Sequence, residues 1–101
     1  MKKLTIILTA DQLRVLVNVL EWQAHSDYGS DLLRSCALAL WDRLKKKTHV
    51  EATRKVKITS WETITIARAT MNYRSIRAQD MDYLSNSVTG SLLLITDQAL
   101  A

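Results

Sequence analysis

The chain has 101 residues, of which 48% are apolar and 24% charged, and its net charge at neutral pH is +4. This composition is that of an ordinary globular protein and excludes general disorder. The length predicts a single domain over residues 1–101, with one core. The chain has no proline and two glycines. A turn-rich all-β fold is therefore disfavoured, because it needs many residues with positive φ, and we predict a mainly α fold.

The chain opens with a pattern typical of a short strand followed by a helix. Leu4–Leu8 is apolar and rich in β-forming residues. Thr9-Ala10-Asp11-Gln12 then matches a capping box, in which the side chains of Thr9 and Gln12 bond each other's backbone N–H groups. Apolar residues recur at helical spacing until Gly29, which can take the left-handed conformation that a tight connection needs.

A second helix follows the glycine. Ser30 or Asp31 is a suitable N-cap, and Lys45–Lys47 complements the negative end of the helix dipole. The short connection predicts that the two helices are antiparallel neighbours, forming a helical pair over residues 9–47. The single cysteine, Cys36, lies on the apolar stripe of this helix, and we interpret it as a small core residue rather than a nucleophile.

The pattern after residue 54 supports two interpretations. Lys55–Ile58 alternates polar and apolar residues like a half-exposed strand, and Thr59-Ser60-Trp61-Glu62 is a second capping box. Glu62–Ile66 has high β-propensity, so the alternative is an α+β fold with a β-hairpin around residues 55–67. We favour a helix, because the capping box is complete and the turn lacks glycine or asparagine.

The last segment, from Asp80 to the end, keeps helical spacing. About four helices are therefore expected, arranged as two antiparallel helical hairpins, with the second half of the domain over residues 58–101. Leu4–Leu8 and Val56–Ile58 can pair as a short two-stranded β ribbon if helices pack on it. The two capping boxes stand fifty positions apart, which leaves a distant internal duplication open.

Positive charge is concentrated in one segment. Residues 43–57 carry seven basic side chains and one acidic side chain, a net charge of +6. Such a cluster can bind phosphates, although most charge runs are solvated connectors, and we interpret residues 45–57 as a basic connector. The possible anion or nucleic-acid contacts are Arg43, Lys45, Lys46, Lys47, Arg54, Lys55 and Lys57.

Little in the sequence indicates catalysis. The only histidines are His25 and His49, and no zinc-protease, serine-hydrolase or phosphate-loop motif occurs. We therefore expect no enzyme activity, no catalytic or metal site and no cofactor. The apolar run after Lys3 is too short for a signal peptide and no run could span a membrane, so we expect a soluble, cytoplasmic protein.

Apolar helix faces are the remaining feature. Tyr83–Thr96 contains no charged residue, which indicates burial in a bundle or between subunits. Each of the first three predicted helices contains one tryptophan, and we expect Trp41 and Trp61 in the core. Trp22 lies off its stripe and suggests a second apolar edge. The possible partner interface is Trp22, Val15, Val19, Leu92, Leu93 and Leu94.

The expected function is thus a small non-enzymatic protein–protein interaction or oligomerisation module, with a homo-oligomer or another protein as partner. The alternative is a nucleic-acid-binding accessory protein that uses the basic segment 43–57. A lysine-rich start before a Thr-capped helical pair resembles, in style only, small bacterial and phage proteins.

Overall fold

The computed structural model describes residues 3–48 and 53–101. In chain order its elements are β1 (Lys3–Leu8), α1 (Ala10–His25), α2 (Asp31–Leu44), a 3₁₀ turn (Lys45–Lys47), β2 (Arg54–Thr59), α3 (Ser60–Ile76) and α4 (Tyr83–Leu100). The mainly α fold with a two-stranded ribbon is confirmed. Part of the predicted connector, residues 54–57, belongs to β2, and residues 49–52 lie outside the described residues.

The ribbon pairs β1 and β2 in antiparallel register. Ile6 lies opposite Val56, and Leu4 lies opposite Ile58. Side chains alternate between the two faces of a strand, so one face of the ribbon is apolar and packs on the helices. Ile6, Val56 and Ile58 are all buried there. The helices thus stabilise a ribbon that would be marginal alone.

Both capping boxes form and begin a helix directly after a strand. The Thr9 hydroxyl accepts from the N–H of Gln12 at 3.1 Å, and the Gln12 side chain accepts from the N–H of Thr9 at 2.9 Å. Thr59 and Glu62 make the same pair of bonds at 3.1 and 2.8 Å. The second box fixes the start of α3, so the alternative of a hairpin around 55–67 is wrong. Each half has the order strand, Thr-capped helix, helix.

The core lies between the ribbon and the four helices, with α1 at its centre. α1 contacts α2, α3, α4 and β1. Its buried side chains therefore cover a wide arc of the helix, since Val17 and Val19 lie on nearly opposite sides and are both buried. The buried apolar residues are Ile6, Leu8, Leu13, Leu16, Val17, Val19, Leu20, Ala37, Leu40, Leu44, Val56, Ile58, Ile66, Ala69, Val88 and Leu92.

A buried glutamine ties the connection between α1 and α2 to α3. The Gln23 amide nitrogen donates to the carbonyl of Tyr28 at 2.6 Å. Its amide oxygen accepts from the Asn72 side chain at 2.9 Å. Gly29 follows with φ of +102°, the left-handed conformation that the sequence predicts. The Gln23 side chain and the backbone angle of Gly29 thus both help to fix the connection.

We expect Gly29→Ala to destabilise the fold by about 1 to 2 kcal/mol, because the backbone of an alanine is strained at the positive φ that Gly29 adopts. A Cβ at Gly29 would also lie 3.1 Å from the Gln23 amide nitrogen and 3.2 Å from a Leu33 methyl carbon. Urea unfolding followed by circular dichroism measures the loss. Gly90→Ala is the matched control, since a Cβ there meets only the end of the Arg74 side chain at 3.4 Å. That change should leave α4 equally or more stable. Equal stability of Gly29→Ala and the wild type would contradict the prediction.

The start of α4 depends on a carboxylate. The Asp82 side chain accepts from the N–H of Ser85 at 2.7 Å. The hydrogen bonds with the backbone and side chain of Ser85 lower the pKa of Asp82 below its ordinary value of 3.8. The cap therefore stabilises the fold fully above that value and is lost as pH falls through the lower pKa of the folded state.

Asp82→Ala is accordingly expected to lower the melting temperature at about pH 6, and the deficit should shrink at about pH 2.5. Ser30→Ala is the control. Ser30 caps α2 through its hydroxyl, which accepts from the N–H of Leu33 at 3.1 Å and does not titrate. Its deficit should be the same at both pH values. If Asp82→Ala lowered the melting temperature equally at both pH values, the ionised Asp82 side chain would not be the cap that stabilises α4.

No helix within the described residues is both long and apolar enough to cross a lipid bilayer.

Candidate interaction surface

Helix α3 carries several large apolar side chains on its outer side. Trp61, Ile64 and Met71 are 57%, 39% and 54% exposed. Spacings of three and seven residues place them on one side of the helix, where they form a ridge. Trp61 was expected in the core, and that expectation is wrong. The arc of α3 that faces the core carries Thr63, Thr65, Ile66, Ala69 and Thr70.

The threonines of α3 are buried without loss of hydrogen bonding. Thr63, Thr65 and Thr70 each donate to the carbonyl four residues before, at 2.9, 2.9 and 2.6 Å. An ordinary surface helix has the reverse distribution, with large apolar residues inside and polar residues outside. The exposed tryptophan, isoleucine and methionine therefore form an apolar surface that residues 3–48 and 53–101 leave uncovered.

A groove runs along one side of this ridge, between α2 and α3. It has a volume of about 550 Å³, and its apolar lining includes Tyr28, Leu32, Trp61 and Ile64. Cys36 also lines this groove and is half-buried. The sequence-based interpretation of Cys36 as a core residue is therefore wrong. We call this space the α2–α3 groove. Arg68 is the one charged residue among the described residues that line it.

A second groove runs along the other side of the ridge, between α3 and α4. Its volume is about 480 Å³, and it is lined by Ala67, Met71, Leu93, Leu94, Thr96, Asp97 and Leu100. We call it the α3–α4 groove. Asp97 is its one charged residue within the described part of the chain. The ridge and the two grooves together are named the α3 face.

The predicted partner interface agrees with the α3 face at two of its six residues. Leu93 and Leu94 line the α3–α4 groove. Val19 and Leu92 are buried in the core of this chain, which removes both from any partner surface in this conformation.

The other two predicted interface residues pack within the chain. Val15 is partly buried against the core. Trp22 is half-buried and meets Tyr73 edge-on, with ring centroids 5.5 Å apart. The second apolar edge of α1 is thus covered by the chain's own helices, because α1 is central.

The uncharged stretch of α4 is divided between the inside and the outside of the molecule. Val88 and Leu92 are buried, whereas Tyr83, Leu84 and Leu94 are exposed. The absence of charge in this stretch therefore does not mean burial on all sides within one chain.

Two of the seven predicted basic contacts are neutralised. Arg43 forms an ion pair with Glu62 at 2.6 Å. Lys45 forms one with Asp42 at 3.0 Å and lies over the Trp41 ring. The hydrogen bond and the charge of Lys45 lower the pKa of Asp42. These cations are engaged within the fold.

The outer face of the ribbon gathers cations from both strands. Lys55 and Lys57 point outward from β2 and are exposed, opposite Ile7 and Thr5 of β1. Lys3 is exposed on the same face of β1. We name these five residues the outer ribbon face. Lys3 was not among the predicted contacts, because only the pairing register brings it beside Lys57.

The remaining basic contacts lie at the approach to the ribbon. Lys46 and Lys47 form part of the 3₁₀ turn, and Arg54 is half-buried at the start of β2. No ion pair among the described residues involves any of these three or the lysines of the outer ribbon face.

The groups with catalytic potential are dispersed. The Nδ1 atom of His25 lies 2.8 Å from the carbonyl oxygen of Glu21. The His25 ring also packs edge-on against the ring of Trp41. His49 lies outside the described residues. Over residues 3–48 and 53–101, no three His, Cys, Asp or Glu side chains are grouped so that they could hold a metal ion. These parts of the chain offer a partner two surfaces: the α3 face, which is apolar with one charge in each groove, and the cationic outer ribbon face.

Known proteins provide no assignment for these surfaces. The chain matches no protein family, no curated protein and no solved structure. Any role must therefore be inferred from the α3 face and the outer ribbon face themselves.

Proposed function

We propose that this chain is a non-enzymatic protein–protein interaction or oligomerisation module that acts through the α3 face. The observation that carries the proposal is the inverted arrangement of α3, with threonines toward the core and Trp61, Ile64 and Met71 toward solvent. Continuous apolar patches on soluble proteins usually mark interaction sites, and tryptophan and methionine are enriched in interface cores. Exposing such residues costs solubility, so their placement favours a covered surface.

The size of the α3 face suits a specific interface. Seven large apolar side chains on it are at least 39% exposed: Tyr28, Leu32, Trp61, Ile64, Met71, Leu94 and Leu100. Such side chains expose on the order of several hundred Å² together, against the ~800 Å² that each partner of a standard interface buries. Trp61 is suited to be an anchor, because it belongs to the ridge and also lines the α2–α3 groove.

Size-exclusion chromatography with light scattering tests self-association directly. We expect a mass above that of one chain, 11.5 kDa, and a mass that rises with concentration through the micromolar range. A clean monomer at high micromolar concentration would refute the oligomerisation form of the proposal.

A second candidate function is nucleic-acid binding by the outer ribbon face. The favouring observation is that β pairing places Lys3, Lys55 and Lys57 on one solvent-facing surface. A two-stranded ribbon fits the major groove of DNA, and lysines bind phosphates by releasing counterions. This surface is separate from the α3 face, so both functions are physically compatible.

The nucleic-acid candidate predicts binding to DNA or RNA at low salt that weakens steeply as salt is raised. Lys55→Glu with Lys57→Glu should weaken binding at low salt. The salt dependence of the remaining binding should flatten by about one power of the salt concentration for each lysine–phosphate contact removed. Lys45→Glu is the matched control, since Asp42 already neutralises Lys45. Absence of binding at low salt, or an equal effect of the control, would eliminate this candidate.

A further inference from the structure

We infer that the α3 face is covered by a second copy of this chain, in a symmetric dimer whose two-fold axis runs parallel to α3. The inference rests on the proposed function, since it names the partner of the same face. It is carried by the position of two charges, Arg68 and Asp97, on a surface that is otherwise apolar or neutral.

Arg68 and Asp97 line different grooves of the α3 face. Arg68 lines the α2–α3 groove, whereas Asp97 lines the α3–α4 groove, whose lining also includes Ala67, the residue before Arg68. Helix α3 stands between the two charges. Both are exposed, and neither takes part in an ion pair among the described residues. Each charge thus still requires either water or a partner from another molecule.

The two-fold symmetry of a dimer decides which grooves meet. With the axis parallel to α3, the two α3 helices point in the same direction, and the α2–α3 groove of each copy faces the α3–α4 groove of the other. Arg68 then lies over the second copy's Asp97, and this contact occurs twice. With the axis perpendicular to α3, identical grooves meet and Arg68 approaches its own counterpart. Only the parallel arrangement pairs unlike charges.

The apolar part of the face suits the same arrangement. Ile64 and Met71 lie seven residues apart, nearly the same angle around the helix, so both belong to the crest of the ridge. In a parallel pair, each of them meets its own counterpart along the axis. The dimer therefore buries the exposed ridge of both copies and leaves the outer ribbon face free.

Charge reversal provides the first test. Arg68→Glu and Asp97→Arg should each weaken self-association at least about tenfold, since each places like charges together at two sites. Mixing the two variants should restore association, because the introduced carboxylate of one variant then faces the introduced guanidinium of the other, and Arg68 still faces Asp97. Arg14→Glu, on the exposed side of α1, is the control for net charge and should have little effect. Sedimentation velocity of each variant alone and of the mixture measures all four.

Disulfide trapping provides the second test. In a Cys36→Ala background, Ile64→Cys and Met71→Cys should each form a covalent dimer on mild oxidation, because counterpart residues of parallel helices approach closely enough for a disulfide. Asn18→Cys on α1 should not. Antiparallel helices could link at most one of the two positions to its counterpart.

The outcomes separate this inference from the proposed function. Restored association on mixing, with trapping at both positions, supports the parallel dimer. A wild-type dimer whose variants do not complement each other, or which is trapped at one position only, overturns the parallel arrangement and leaves the α3 face as the interface. A wild-type monomer overturns the self-associating partner altogether.

Discussion

Ile64→Asp is expected to convert the proposed dimer to a monomer, raising the dissociation constant about 100-fold or more. Ile64 lies on the crest of the ridge, and a carboxylate there would lose its hydration when the interface closes. The same side chain is 39% exposed in the free chain, so an aspartate can be solvated in the monomer. The folded state of the single chain should therefore be affected far less than the interface.

Sedimentation velocity and thermal unfolding, measured on the same samples, distinguish these effects. Ile7→Asp is the matched control, because Ile7 is also exposed but lies on the outer ribbon face, away from α3. It should sediment like the wild type. Retention of the wild-type mass by Ile64→Asp, or equal dissociation of both variants, would show that the α3 face is not the interface.

Gln23→Leu is expected to cost about 2 to 3 kcal/mol of unfolding free energy. Gln23 is 0% exposed, and its side chain bonds both the Tyr28 carbonyl and the Asn72 amide. Leucine has a similar size but leaves both partners without that bond. The loss should exceed that of an ordinary surface change, because the carbonyl and the amide left without a partner lie beside a buried position.

Urea unfolding measures this loss, and Gln98→Leu at an exposed position of α4 is the control, expected within about 0.5 kcal/mol of the wild type. A double variant that adds Asn72→Leu should lose less than the sum of the two single changes, since the glutamine and the asparagine share a bond. Full additivity would contradict the network.

The parts of the fold that the sequence predicts are those with local signals. Thr9 with Gln12, and Thr59 with Glu62, satisfy backbone groups within one helical turn, so neither box depends on the rest of the chain. Gly29 is equally local, because its backbone angle suits glycine alone. These signals place the helix starts and the α1–α2 connection correctly.

The side of each helix that faces the core is not a local property. Spacing places Trp61, Ile64 and Met71 on one stripe of α3, and their hydrophobicity predicts that this stripe faces the core. The side that faces the core instead carries three threonines beside Ile66 and Ala69. Similarly, Val19 belongs to the core because α1 contacts elements on several sides. Which stripe is covered depends on packing between distant segments, and the residue spacing within one helix does not specify that packing.

Register between distant strands is another non-local property. Lys3 lies on the same surface as Lys57 only because β1 and β2 pair with Lys3 opposite Thr59. The basic run of the sequence is correspondingly divided by the fold, with Arg43 neutralised by Glu62 and Lys57 left on the outer ribbon face. Counting charges along the chain does not show which basic side chain forms an internal ion pair and which one stays exposed.

The three tryptophan indoles offer the most direct measurement of the α3 face. Trp61 is on that face and exposed, whereas Trp22 packs on Tyr73 and Trp41 lies beneath Lys45. Indole N–H signals in two-dimensional nitrogen–proton spectra should be recorded as the protein is diluted from high to low micromolar concentration. The Trp61 signal is expected to shift, while those of Trp22 and Trp41 stay in place. A stationary Trp61 signal, or a shift confined to Trp22 or Trp41, would contradict association through the α3 face.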